Sequence, residues 1–489
     1  MRVDLLEYKH RIQFSEKYFT IEDNCHTSIL PLIFESESAF EKAPGQLTIH
    51  PVEKNNKNIS ARLYPITDLM GGLESGTIQA SPFRYTAGIG IGTEFSSNTW
   101  YTSLKFLPYV SEPIFTFDSV RQNFGIDVGT TRPITGSIFQ RSEFIVAYKP
   151  HRIFTLSTGY GKNFFGEGYR SVFLSDHAAP YPFLKVQTSF GSIQYVNLYA
   201  IWKDNSALPS DRSMDKMKFS SSHYLSWNII PGLNIGVFET VVWQAKDSLA
   251  QRNFDFNYLN PVVFFRPVEY GLGSADNVLL GAALNYKPDQ HHSFYSQLLL
   301  DEFLLSELKA GNNWWGNKYA IQVGYKSNQF FVENLFLQLE FNMVRPFTYA
   351  HKYAVQSYGH YNSAVAHPAG ANFYELVNIV SYRKEKFMFT NKITYLGIGV
   401  DKDSINQGQN IFRSYSDRNG NYGHKIMQGN RMTIFNEQFI AEYPLLNKID
   451  LYVTAMYQYR MSWSSAEILH QHFLTLGIRT RLWNSYADY

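Results

Sequence analysis

Hydrophobic and polar positions alternate with a period of two along most of this chain. In residues 448–460, KIDLYVTAMYQYR, one face carries Ile449, Leu451, Val453, Ala455, Tyr457 and Tyr459. The other carries Lys448, Asp450, Tyr452, Thr454, Met456, Gln458 and Arg460. Successive side chains of a β-strand point to opposite faces, so this strand has one oily face and one charged face. It exceeds the usual ~5–6 residues of a globular strand and suffices to cross a bilayer, which takes roughly 9–11 residues when tilted. In 331–342, Leu335, Leu337, Leu339 and Phe341 oppose Asn334, Gln338, Glu340 and Asn342. In 474–482, Leu474, Leu476, Ile478 and Leu482 oppose Thr475, Gly477, Arg479 and Arg481. The segment 386–396 is less pure, with Lys392 among Thr390 and Thr394. A mid-membrane Arg or Lys facing lipid costs about 2–4 kcal/mol, so the charged faces line a wet or packed interior.

From about residue 137 the alternation is punctuated by short turns and long loops in turn. Strands are predicted near 137–149, 152–161, 182–190, 193–203, 217–229 and 232–244, joined by KPH (149–151), Gly191 and Pro231-Gly232. Further tight connections are expected at Pro288-Asp289-Gln290, Ser327-Asn328-Gln329, Arg383-Lys384 and Pro444-Leu445, where the residue types are ordinary turn chemistry. Long stretches lie between the pairs, at 162–181, 204–216, 245–276, 304–316, 343–371, 398–430 and 461–470. Short turns at one end and long loops at the other are the outer-membrane barrel pattern. With candidates at 83–95, 98–108 and 120–130, the count is roughly eighteen, an even number that leaves both termini in the periplasm. The predicted fold is therefore all-β: a transmembrane antiparallel β-barrel over 83–489 with long extracellular loops. Residues 1–82 show no such alternation and are assigned to a short N-terminal periplasmic or plug segment. Asp450 and the pair Arg479/Arg481 fall near one periplasmic end of adjacent strands and are expected to pair in the lumen, in a charge network that also includes Glu340.

Composition narrows the classes. Aromatic residues make up 16% of the 489, with 34 Tyr and 38 Phe, which suits interface girdles and equally suits sugar-stacking surfaces. Mean hydropathy is −0.26 and no apolar run approaches the ~18 residues of a spanning helix, which excludes a helical membrane protein. The net charge of +2 is spread along the chain, without the basic stripe of a nucleic-acid binder. The single cysteine, Cys25, rules out an internal disulfide and a cysteine-based zinc site. The start, MRVDLLEYKHRIQF, has no apolar core or small-residue cleavage site. An exported barrel requires a leader, so one is expected to have been removed or to precede this sequence.

Few residues carry chemistry. His351, His360 and His367 are spaced nine and seven apart, matching no zinc pattern, and read as loop histidines packed among tyrosines. GKNFFGEGYRS (161–171) lacks both the G-K-[ST] ending and GxGxxG; its glycines suit a tightly folded loop, with ligand contact through Lys162, Glu167 or Arg170 as the alternative. Asp301, Glu302 and Glu307 are acidic but show no glycosidase geometry in sequence, and no nucleophile motif is present. No enzyme activity, cofactor or metal is expected. In GNNWWGNKY (311–319), Trp314 and Trp315 suit either an outer-interface anchor or a stacking contact with a sugar or protein. In RPFTYAHKYAVQSYGHYN (345–362), Arg345, Tyr349, Tyr353, Tyr358 and Tyr361 suit either a binding surface or packing into the barrel mouth.

Together with GYGKNFFGEGYRSVFLSDHAAPYPFLK (159–185), NPVVFFRPVEY (260–270) and HPAGANFYE (367–375), these loops resemble the capsule-assembly (Wzi-like) outer-membrane barrels, and most of all their gliding-motility (RemB-like) branch from the Bacteroidetes. Ala369 departs from the pattern, standing where a larger apolar residue is expected in HPxGAN, and 1–82 shows no helical periplasmic bundle. The resemblance implies an eighteen-stranded barrel that holds surface polysaccharide or serves surface motility. Its expected partners are outer-membrane lipid, surface polysaccharide and gliding or secretion machinery proteins, with no nucleic acid. The expected function is a non-enzymatic barrel whose extracellular loops engage a glycan or a motility/adhesion partner. The alternatives are a passive or gated solute channel and a soluble all-β carbohydrate-active protein.

Overall fold

In the computed structural model the described residues are His26, 28–30, 47–49, 60–77, 83–97, 99–112, 138–204, 216–246, 253–260, 276–401, 405–446 and 451–480. Eighteen antiparallel strands among them close into one barrel. They begin with β1 (Ser60–Gly76), β2 (Phe83–Ser96), β3 (Trp100–Glu112), β4 (Ile138–His151), β5 (Phe154–Gly161) and β6 (Tyr181–Phe190). Next come β7 (Ile193–Asp204), β8 (Lys216–Ile230), β9 (Leu233–Gln244), β10 (Asn277–Tyr286), β11 (His292–Glu302) and β12 (Lys318–Ser327). The last are β13 (Leu335–Val344), β14 (Phe373–Lys384), β15 (Phe387–Val400), β16 (Asn430–Leu446), β17 (Leu451–Ser464) and β18 (Ile468–Thr480). Each pairs with its neighbours in sequence, and β18 closes on β1 in the register Gln471↔Gly76 to Arg479↔Asp68.

The alternation sorts side chains as expected. On β17, Thr454, Gln458 and Arg460 are buried in the interior while Tyr457 is exposed outside. On β13, Gln338, Glu340 and Asn342 point inward and Leu339 outward. Exposed Leu73, Ile89, Phe144, Leu298, Val323 and Leu474 form part of an outward apolar band. So large a band is unsuited to water and is the surface a bilayer requires. Tight connections at Gly191–Ser192, Pro231–Gly232 and Glu385–Lys386 share one rim; the long loops share the other.

Three expectations change, and a fourth is untested. The barrel starts at Ser60, inside the stretch assigned to the N-terminal segment. In β1 the buried inward positions are Tyr64, Ile66, Asp68 and Glu74, and the outward ones mix Leu63, Leu69 and Leu73 with Pro65, Thr67 and Gly71. With apolar and polar residues on both faces, the contrast that period-two reading depends on is blurred. Strand 120–130 lies outside the described residues, and β1 supplies the eighteenth member. Pro444 is not in a turn: β16 runs on to Leu446, with a bulge between Pro444 and Leu446 opposite Tyr452 and Leu451. A bulge tolerates the missing N–H of proline. Finally, 461–470 is no long loop, because only residues 465–467 separate β17 from β18.

Two further segments shape the barrel. Ile29–Leu30 pairs with Phe164–Phe165, and His26 Nδ1 lies 2.8 Å from Ser226 Oγ, so this piece of the N-terminal segment sits within the lumen. Asn253–Asn260, by contrast, packs on the outside. Its Tyr258 ring lies 4.8 Å from Trp243, an outward residue of β9, and Tyr199 and Ser221 donate hydrogen bonds to the Leu259 and Tyr258 carbonyls.

Candidate functional site: the plugged lumen and its extracellular cap

The loop after β5 (162–180) turns into the barrel and is buried along almost its whole length. Three features hold it. The backbone N–H groups of Tyr169 and Arg170 donate to the Glu340 carboxylate at 2.7 and 3.0 Å. The Arg170 guanidinium pairs with Glu375 at 3.2 Å, both side chains shielded from solvent. Gln297 takes the Val172 N–H at 2.9 Å and gives its amide to the Phe165 carbonyl at 3.2 Å. Around them, Tyr295 donates to Glu340 at 2.7 Å, Asn342 bridges Glu340 and Glu375, and His367 Nε2 lies 2.7 Å from Glu375. Lys326 donates to the Glu167 carbonyl, and Lys392 to the Tyr169 hydroxyl at 3.0 Å. Buried charges of this kind persist only when paired and hydrogen-bonded.

A second loop, 345–372, packs on the first. Tyr349 donates its hydroxyl to the Val172 carbonyl at 2.8 Å, and Ser175 its N–H to Val365 at 2.8 Å. Lys318 ties the loop to the wall, pairing with Asp301 at 2.9 Å and Glu302 at 3.2 Å and donating to the Ala350 carbonyl. Asp301 also accepts the Tyr349 N–H. The acidic pair visible in sequence is thus an anchor around one lysine. Lys218 caps the Ser357 carbonyl at 2.8 Å. His360 accepts the Lys203 N–H on Nδ1 at 3.0 Å, and its Nε2 lies 3.3 Å from the Pro180 carbonyl. Burial pulls its pKa down to about 3, and that of His351 likewise.

A third loop, 405–429, closes over these two. Trp315 lies between loops, with Tyr415 4.7 Å away and the Arg418 guanidinium 3.8 Å over its ring. The Trp315 backbone N–H donates to the Asn421 carbonyl at 2.9 Å. Arg345 donates to the carbonyls of Trp314 and His424.

The residues singled out in sequence therefore divide. Tyr349 and Tyr358 are fully buried, their rings 5.9 Å apart. Trp314, Trp315 and Tyr361 are half-buried, Arg345 is buried in the loop clasp, and Tyr353 is 47% exposed. Glu340 is in the lumen, at the heart of the plug contacts. Asp450 and Arg481 lie outside the described residues; Arg479 stands 3.5 Å from Asp68, which Arg141 also approaches to 3.5 Å. Sequence reading missed Glu375, although Phe373, Val377 and Ile379 on its own inward face mark it as a lone charge in an apolar row. Among the described residues no cluster of three or more His, Cys, Asp or Glu side chains could hold a metal.

Neither a family model nor a curated protein matches the sequence. Among solved structures, the chain is similar to Wzi of Escherichia coli, described as an outer-membrane protein involved in group 1 capsule assembly and as a carbohydrate-binding β-barrel. The TM-score is 0.52 at 12% identity, covering 83% of each chain. OprD of Pseudomonas aeruginosa gives a TM-score of 0.43 at 9% identity over 85% of this chain and 94% of that one. OccK8 (OprE) of the same organism gives 0.45 at 10% over 86% and 97%. At these identities the likeness is one of fold. With its outward apolar band and its rims of unequal loops, the chain is an eighteen-stranded barrel of the outer membrane.

Proposed function

We propose that this protein is a non-enzymatic surface barrel whose extracellular cap holds polysaccharide at the cell exterior. The observation that carries the reading is the filling of the lumen by loops along β5–β14. Along β5–β14 the interior is occupied by loops 162–180 and 345–372, fixed to the wall by the Arg170–Glu375 and Lys318–Asp301 pairs. A conducting pore needs that space; a holding surface does not. The cap offers aromatic rings for sugar stacking, with Tyr353 and Tyr422 exposed and Trp314 half-exposed. Loops 303–317, 345–372 and 401–429 together carry seven Lys/Arg (309, 345, 352, 402, 413, 418, 425) against Glu307, Asp401, Asp403 and Asp417, a net +3, with Arg413 paired to Asp401. The remaining excess favours a negatively charged glycan. Wzi, the similar barrel, is itself described as carbohydrate-binding.

The test is retention of surface glycan by cells carrying Tyr353→Ala with Tyr422→Ala, exposed residues whose loss leaves the plug intact. Retention should fall several-fold while planar-bilayer conductance of the purified barrel stays negligible. Unchanged retention with loss of surface spreading would place a motility or adhesion protein on the cap instead. Porin-like conductance of the unmodified protein would establish the channel alternative.

A further inference from the structure

The outward face of β15–β18 breaks the apolar band. On β16, Asn436 and Gln438 point into the lumen, so Glu437 between them points toward lipid. Its carboxylate accepts a hydrogen bond from Asn391 of β15 at 3.0 Å. Tyr459 lies opposite Glu437, and His472 opposite Tyr459. Two imidazole–phenol pairs stand there: Tyr457 with His472 at 2.9 Å and Tyr459 with His470 at 2.8 Å. Glu437 is six residues from Tyr443 toward the short-turn rim and six from Arg431 toward the long-loop rim. At about 3.3 Å per residue and a tilt near 40°, that is roughly 15 Å from each. The carboxylate thus sits midway through the hydrocarbon, where ionisable groups face protein or water rather than acyl chains.

We propose that this face is the contact between two copies of the chain within the membrane. It is self-complementary, which a two-fold contact demands. A carboxylate and amide occupy one side, and the imidazole–phenol pairs lie one and two strands away. An axis along the membrane normal between β16 and β18 sets Glu437 of one copy against the Tyr457–His472 pair of the other, at nearly the same depth. Exposed Phe439, Leu474 and Leu476 supply apolar contact around it. A lipid headgroup would meet the rim, not the depth of Glu437.

The experiment uses the full chain with Cys25→Ser, embedded in outer membranes. Leu474→Cys should cross-link with a short bis-maleimide to a species of twice the mass, and the purified barrel should size as a dimer. Glu437→Leu with Asn391→Leu should lower the dimer fraction at least tenfold while heat-modifiable gel mobility, the sign of a folded barrel, persists. A monomer that never cross-links overturns the proposal, as does cross-linking only to a different polypeptide. A double variant that melts higher with unchanged size also overturns it, because the face then meets only lipid.

Discussion

Arg170 of the inward loop and Glu375 of β14 form an ion pair at 3.2 Å in which neither side chain reaches solvent. Removing one partner leaves the other charge buried, a change that costs about 3–5 kcal/mol. Arg170→Met or Glu375→Leu should therefore release loop 162–180 from the wall, read as new reactivity of a cysteine placed at Ser175. Replacing both together should be milder than either alone, since no orphan charge remains. Equal effects of the single and double variants would show that the pair does not hold the plug.

Gly324 explains how Glu340 is aimed. It lies opposite Tyr295 across β11 and β12, and a β-carbon there would collide with the Tyr295 ring. The ring lies flat over the glycine and its hydroxyl reaches Glu340. Gly324→Val should push the ring aside and remove that hydrogen bond, worth about 1.5–3 kcal/mol to a charged acceptor. Faster hydrogen exchange at the Tyr169 and Arg170 amides, both bound to Glu340, is the expected readout.

Loop 345–372 should loosen in acid. His360 is neutral when packed, its pKa pulled down to about 3 by burial, whereas in an opened loop it titrates near 6.5. Above pH 6.5 both states are neutral and the histidine adds no pH dependence. As pH falls from about 6.5 toward 3, only the opened loop takes the proton, so packing weakens throughout that window. Proteolysis of the loop should accelerate over it in the unmodified protein and more weakly in His360→Asn. Identical acid profiles would remove His360 from the response.

The barrel was legible because lipid on one side and a packed interior on the other impose opposite demands on neighbouring residues. KIDLYVTAMYQYR met them plainly, and β17 lies there. β1 was illegible because Tyr64 and Ile66 face a lumen that is itself partly apolar. The cap was legible only as a set of aromatic loops. Tyr349 and Tyr353 are four residues apart in one loop, yet one is buried against Val172 and the other is exposed. That choice is made by partners 177 residues away and by Lys318 on a strand between them, which no local pattern reports. The Arg170–Glu375 pair spans 205 positions for the same reason.

The outside of β7–β9 gives the last prediction. Asn197, His223 and Glu239 point outward there, paired in one register row, and all three are buried. Above them Asn253–Asn260 lies against the wall, its Tyr258 and Phe254 rings 4.8 and 5.8 Å from Trp243. The Trp243 indole donates to the Asn253 carbonyl at 3.1 Å. Trp243→Ala removes both the rings' support and that hydrogen bond, a loss of about 3–5 kcal/mol where the site cannot collapse. The segment should lift from the wall and become cleavable by protease between Asn253 and Asn260. Phe256, 77% exposed on the same segment, should tolerate Ala with a stability change within about 0.5 kcal/mol. If the segment faces the outer leaflet, Phe256→Trp in vesicles should be quenched by brominated acyl chains and spared by iodide. The reverse pattern would show that Phe256 stands in water above the headgroups.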